Sequence, residues 1–170
     1  MSGAQQPEPN PLTIISNYPR YVFPEQRLNP PLTVQLANAQ HYAAQLQVRP
    51  EYFYAEVRCI WVDIIVENGE KVIKDERVAT NDLYGSKLVY GTVKPSEDPD
   101  AYVVEFTFNP LRFIQQAAGF YYFNIWVRAL RHGAFPGYEN EYHDPFVAFS
   151  EAMRDPDRGV IYVEPVPRTW

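Results

Sequence analysis

The stretch Tyr52 to Val66, YFYAEVRCIWVDIIV, decides the fold class. In an extended chain Phe53, Ala55, Val57, Cys59 and Trp61 share one face, while Glu56 and Arg58 lie on the other before both faces become apolar. Alternation with period two is the pattern of a strand with one face on a core and the other in solvent. Asn68-Gly69 follows directly and supplies the positive φ angles of a tight hairpin turn, so Lys71 to Ile73 begin a return strand. The unit predicted here is a long antiparallel hairpin.

Downstream, Leu83 to Val93 is a β-rich run interrupted by Gly85 and Gly91, which predicts bulges or a bend. Tyr102 to Phe108 alternates, with Tyr102, Val104, Phe106 and Phe108 inward. Asn109-Pro110 ends that strand, and Phe120 to Leu130 forms another, with Tyr121, Phe123, Ile125, Val127 and Ala129 on an apolar face. Residues 131–143 read as a loop, Pro145 to Phe149 as a strand, Ser150 to Arg154 as one helical turn capped by Ser150, and Val160 to Val163 as the last strand. Upstream, Leu32 to Leu36 is a strand, and residues 37–48 are an Ala- and Gln-rich short helix or a polar loop, ended by Pro50. Residues 1–11, polar and proline-rich, are expected to be a disordered tail. Residues 12–31, with prolines at 19, 24, 30 and 31, are an extended arm with at most edge strands. Residues 32–170 form one domain. Seven or eight short strands separated by turns predict an all-β fold, an antiparallel β-sandwich with an N-terminal arm and one or two short helices.

Composition agrees with a single ordered domain. The 170 residues are 46% hydrophobic and 15% aromatic, too apolar for disorder, and 16 prolines argue against a mostly helical chain. One cysteine leaves no disulfide framework and fits a reducing compartment. The net charge of −6 is unevenly spread: residues 1–50 carry three Arg and two Glu, residues 51–110 six bases and twelve acids, residues 111–170 six bases and seven acids. No basic patch of the kind that neutralises phosphates is present, and Arg outnumbers Lys eleven to four, which suits paired or stacked sites. Met1 to Pro11 has no basic stretch followed by an apolar run, so no secretory leader is expected, and no apolar run approaches the ~18 residues of a membrane span. The expected location is the cytoplasm or nucleus.

The motifs of catalysis and cofactor binding are missing: no phosphate loop, no nucleophile elbow, no zinc spacing, and so no metal or cofactor is expected. Cys59, mid-strand on the apolar face, reads as a buried thiol. His132 and His143, with Glu139, Glu141 and Asp144, are the one cluster with acid–base potential, and a solvated loop with ordinary histidines is its plainer reading. Tyr18, Tyr21, Phe23, Tyr52, Tyr54, Tyr138 and Tyr142 fall on the arm, on loops or on an outer strand face, where aromatics favour a partner or ligand surface.

Several strings in shared order over residues 30–163 resemble the velvet domain of fungal regulators. They are Pro30-Pro31-Leu32-Thr33-Val34-Gln35-Leu36, Tyr52 to Val57, Leu83 to Val89, Val104-Glu105-Phe106 through Leu111, Ala118-Gly119-Phe120-Tyr121, Asp144-Pro145-Phe146-Val147 and Gly159 to Val163. The resemblance implies an immunoglobulin-like, Rel-like β-sandwich. It also implies a regulator of transcription, development or secondary metabolism that pairs with itself or a velvet-type partner and contacts DNA through its arm. Where the family carries a basic string, only Arg20 and Arg27 stand here, which implies weak DNA contact. The alternative is a velvet-derived small-molecule binder or cofactor-free enzyme of a fungal biosynthetic pathway, using a cavity lined by tyrosines and by His132 or His143.

Overall fold

The computed structural model describes residues 11–130 and 144–167. Thirteen strands, one α-helix and three 3-10 turns build an all-β, sandwich-like fold. β1 (Leu12–Ile14), β3 (Leu32–Leu36), β9 (Tyr102–Phe108) and β8 (Thr92–Pro95) form one sheet in the order β1-β3-β9-β8. The other is seven-stranded: β2 (Tyr21–Val22), β13 (Ile161–Val163), β11 (Gly119–Ala129), β4 (Phe53–Glu67) and β5 (Glu70–Val78) in that order, with β12 (Phe146–Ser150) on β11 and β7 (Leu88–Tyr90) on β4. A two-stranded ladder joins β6 (Leu83–Gly85) to β10 (Leu111–Phe113). The strand count exceeds the seven or eight read from the sequence because short segments there change partners. The sheet is also mixed, since β2 pairs parallel to β13.

The alternation of β4 is realised residue by residue. Phe53, Ala55, Val57 and Cys59 are fully buried and lie opposite Ala129, Val127, Ile125 and Phe123 of β11. Leu32, Val34 and Leu36 with Val104, Phe106 and Phe108 supply the opposing inner face, all at 0% exposure. Phe113 stacks on Phe123, ring centroids 6.2 Å apart and 16° from parallel. Non-directional burial of this apolar area, worth about 25 cal/mol per Å², is what holds two sheets face to face. The switch to two apolar faces is also real: Ile60, Val62 and Tyr122 are buried although they point away from the inner face, and the 3-10 turn Ala152–Arg154 packs against β11. Ser150 does not cap that turn. It ends β12, buried opposite Ile125, and Glu151 is the cap residue with no side-chain cap bond.

The Asn68-Gly69 hairpin forms as read, with φ of 51° and 81° at its two turn residues and Glu67 opposite Glu70. Leu83 to Val93 differs from a bent single run: β6, β7 and β8 each belong to a different ladder. Gly91 marks the last switch. A Cβ there would lie 2.1 Å from Val104 and 2.8 Å from Phe106, so only glycine lets the backbone cross the core edge. The short helix is α1, Ala39–Leu46, which buries Ala39 and Ala43.

The proline-rich segment is sewn into the sandwich. β1 pairs with β3, β2 with β13, and the backbone N–H groups of Glu25 and Leu28 donate to the carbonyls of Phe113 and Leu111. Leu12, Tyr18, Val22 and Leu28 are each at most 1% exposed.

Candidate functional site

Tyr18 and Tyr21 are three residues apart and end on opposite sides of the sheet. Tyr18 is not part of an outer surface: its ring packs 5.9 Å from that of Phe123, and its hydroxyl donates to the Gly159 carbonyl at 3.0 Å. Desolvation pushes its hydroxyl pKa up from 10.0 to about 12. A partner 141 residues distant in the chain buries this side chain, and no local pattern announces it. Tyr21, by contrast, is 53% exposed.

The arm arginines differ in the same way. Arg20 lies 3.4 Å over the Tyr18 ring, donates through Nη1 to the Tyr18 carbonyl, and donates through Nε to the Arg158 carbonyl at 2.7 Å. Its guanidinium therefore ties the arm to the loop before β13. Arg27 is exposed and forms no ion pair among the described residues.

Around Tyr21 the sheet registers assemble a row. Tyr21 of β2 lies beside Tyr162 of β13, Tyr162 beside Phe120 of β11, and Phe120 beside Val62 of β4, all on the outer face. Ring centroids are 5.7 Å apart for Tyr21 and Tyr162, 5.0 Å for Tyr162 and Phe120, and 5.8 Å for Tyr21 and Phe23. Phe23 is 47% exposed and Phe120 38%. The hydroxyls of Tyr21 and Tyr162 have no hydrogen-bond partner among the described residues. Beyond Val62 the ladder continues to Glu76, which pairs with Arg154 at 2.5 Å. The sequence marked Tyr21 and Phe23 but missed Phe120 and Tyr162. Their outward parity within short strands was the available signal.

A second aromatic cluster occupies the opposite end of that face. Trp126 packs on Phe149 at 4.5 Å and Phe146 at 6.2 Å, and the guanidinium carbons of Arg58 and Arg128 lie 5.3 and 5.4 Å from its ring. Glu56 holds both arginines, at 3.1 and 3.5 Å. Tyr54 donates to Asp144 at 2.6 Å, and burial together with that carboxylate raises its hydroxyl pKa. The indole Nε1 of Trp126 is buried with no partner, as is Asn124 Oδ1.

Tyrosine hydroxyls recur as tethers to acidic groups. Tyr121 donates to Asp82 at 2.8 Å, Tyr122 to Glu76 at 3.1 Å, and Tyr84 to Glu25, whose carboxylate also faces Arg112. Part of the acidity of residues 51–110 is thus committed to holding turns and edges on the sandwich. Cys59 is a buried thiol whose pKa burial pushes well above the usual range.

A half-open groove of about 300 Å³ lies along Arg77 to Asp82, next to the Tyr121 tether. Among the described residues no group of three His, Cys, Asp or Glu is placed to hold a metal ion, and no helix is long and apolar enough to cross a membrane. His132, Tyr138, Tyr142 and His143 lie outside the described residues. No family model matches the chain, and no curated protein matches it.

Proposed function

We propose that the chain is a velvet-like regulatory β-sandwich that works by docking a protein partner on the outer face of its seven-stranded sheet. The observation that supports this is the row of exposed Tyr21, half-buried Tyr162 and exposed Phe120, with exposed Phe23 against Tyr21, rings in mutual contact across three strands. An apolar, aromatic centre with a polar rim is the anatomy of a protein interface. DNA contact is the lesser part of this reading. Two of the five N–H donors of Arg20 are held by carbonyls, and Arg27 forms no ion pair among the described residues.

The test is co-sedimentation of the full chain with a velvet-domain partner and with a second copy of itself, for the parent, Tyr21→Ala, and an Arg20→Ala/Arg27→Ala variant. Loss of the complex in Tyr21→Ala alone supports the reading. Loss in the double arginine variant with Tyr21→Ala unaffected overturns it. In a mobility-shift series the parent is expected to retard DNA only at low salt, because a one- or two-arginine contact releases few counterions.

A further inference from the structure

We infer that the bulge at Lys74 is a guard: it keeps the open edge of the seven-stranded sheet from pairing with the same edge of a second copy.

β5 is the long open edge of the fold. It pairs only with β4, and no backbone hydrogen bond reaches its other side among the described residues. Eight of its nine residues are exposed, Ile73 being the exception. The other edge strands have two to five residues each. A short edge offers few groups to a further strand, whereas nine residues of unpaired N–H and C=O are a template for one. Side chains add to the hazard. Past Val62, β4 keeps no neighbour except β5 among the described residues, and this two-stranded ribbon carries Ile64, Ile65, Val66, Val72 and Ile73, all good strand formers.

Charge alone does not protect the edge. Six of the nine residues are charged, yet the strand is complementary to its own reverse. About a two-fold axis, the antiparallel register that sets the most opposite charges face to face puts Glu70 opposite Arg77 and Lys71 opposite Glu76. The symmetry repeats each pair, so two attractions become four.

The bulge falls on the axis of that register. β4 and β5 pair Asp63 with Asp75 and then Ile64 with Ile73, which leaves Lys74 with no opposite residue. A bulged residue bends its strand and increases the local twist. In the self-paired register the axis runs between Ile73 and Lys74, so both copies bring their bend to the centre of the ladder. Without Lys74 the ladder is regular and the axis falls on Ile73. Glu70 still meets Arg77 and Lys71 still meets Glu76, now around an Ile73 to Ile73 contact.

The experiment is sedimentation of the full chain over a range of concentrations. Every variant carries Tyr21→Ala, so that association through the aromatic row does not enter, and each is checked by its urea midpoint. Tyr21→Ala alone, with the bulge in place, is expected to stay monomeric. Deletion of Lys74 is expected to tighten self-association at least about 10-fold and to stop at a dimer, since each copy has one long open edge. Adding Lys71→Glu/Arg77→Glu to the deletion makes all four pairs repulsive and is expected to restore the monomer. Glu76 is left in place because it holds Arg154 and Tyr122. A deletion variant that stays monomeric with an unchanged midpoint overturns the inference, and so does a deletion dimer that survives the charge reversal. Tyr21→Ala alone dimerising as tightly as the deletion variant also overturns it. A midpoint that collapses in both deletion variants overturns it as well, because the bulge is then a requirement of the hairpin itself and no guard on its edge.

Discussion

The two aromatic clusters on the outer face of the seven-stranded sheet differ in what surrounds their rings. Around Trp126 the charged groups are engaged with one another: Glu56 bridges Arg58 and Arg128, both arginines lie near the indole, and Tyr54 is tied to Asp144, while the Trp126 Nε1 and Asn124 Oδ1 atoms are buried without a partner among the described residues. Around Tyr162 the rings touch one another, Val62 lies beside Phe120, and the hydroxyls of Tyr21 and Tyr162 have no partner among the described residues. Exposure of aromatics alone does not mark a docking surface. The useful distinction is whether their polar groups already have partners, because a satisfied network contributes to folding and an open one is left for binding.

Substitutions separate the two. Trp126→Ala should have the largest effect, about 2 to 3 kcal/mol lost in urea unfolding, since it empties the space between Phe149 and two arginine stems. Tyr54→Phe should cost about 1.5 kcal/mol by taking the donor from a carboxylate. Glu56→Ala should cost about 1 kcal/mol or less, because its partners are partly solvated. Tyr21→Phe/Tyr162→Phe should change stability by less than about 0.3 kcal/mol, because no described residue bonds those hydroxyls. A cost for the last variant equal to that of Tyr54→Phe would erase the distinction.

Alkaline pH supplies an independent probe of the closed hydroxyls. Tyr18 and Tyr54 have hydroxyl pKa values raised above the ordinary 10.0. The folded state then holds protons that the unfolded state releases. Their contribution is fully present below pH 10 and declines above it, for Tyr18 between about pH 10 and about pH 12. Urea midpoints of the parent should therefore fall steeply above pH 10, and less steeply in Tyr18→Phe and in Tyr54→Phe.

Much of the frame was legible from local pattern. The Phe53 to Cys59 alternation, the Asn68-Gly69 turn, the alternating β9 and the apolar face of β11 are local properties, and each strand formed where it was read. What escaped was decided by distant partners. Leu83 to Val93 looked like one bent strand because a glycine required by Val104 and Phe106 looks the same in sequence as one in a bulge. Tyr18 looked exposed beside Pro19 and Arg20, yet its hydroxyl finds Gly159 and its ring finds Phe123. The Trp126 cluster escaped because Glu56, Arg58 and Arg128 meet only through the β4 to β11 register. Of the row, the arm yielded Tyr21 and Phe23, while Phe120 and Tyr162 joined them by sheet order.

The most direct measurement places a partner on one cluster or the other: aromatic-ring NMR of the full chain during titration with the partner or second copy used for co-sedimentation, following both clusters in one sample. The expected result is shifts at Tyr21, Phe23, Phe120 and Tyr162 with the Trp126 and Tyr54 resonances unmoved. Shifts centred on the Trp126 indole, with the Tyr21 row silent, would contradict the division of this face into a closed structural end and an open docking end.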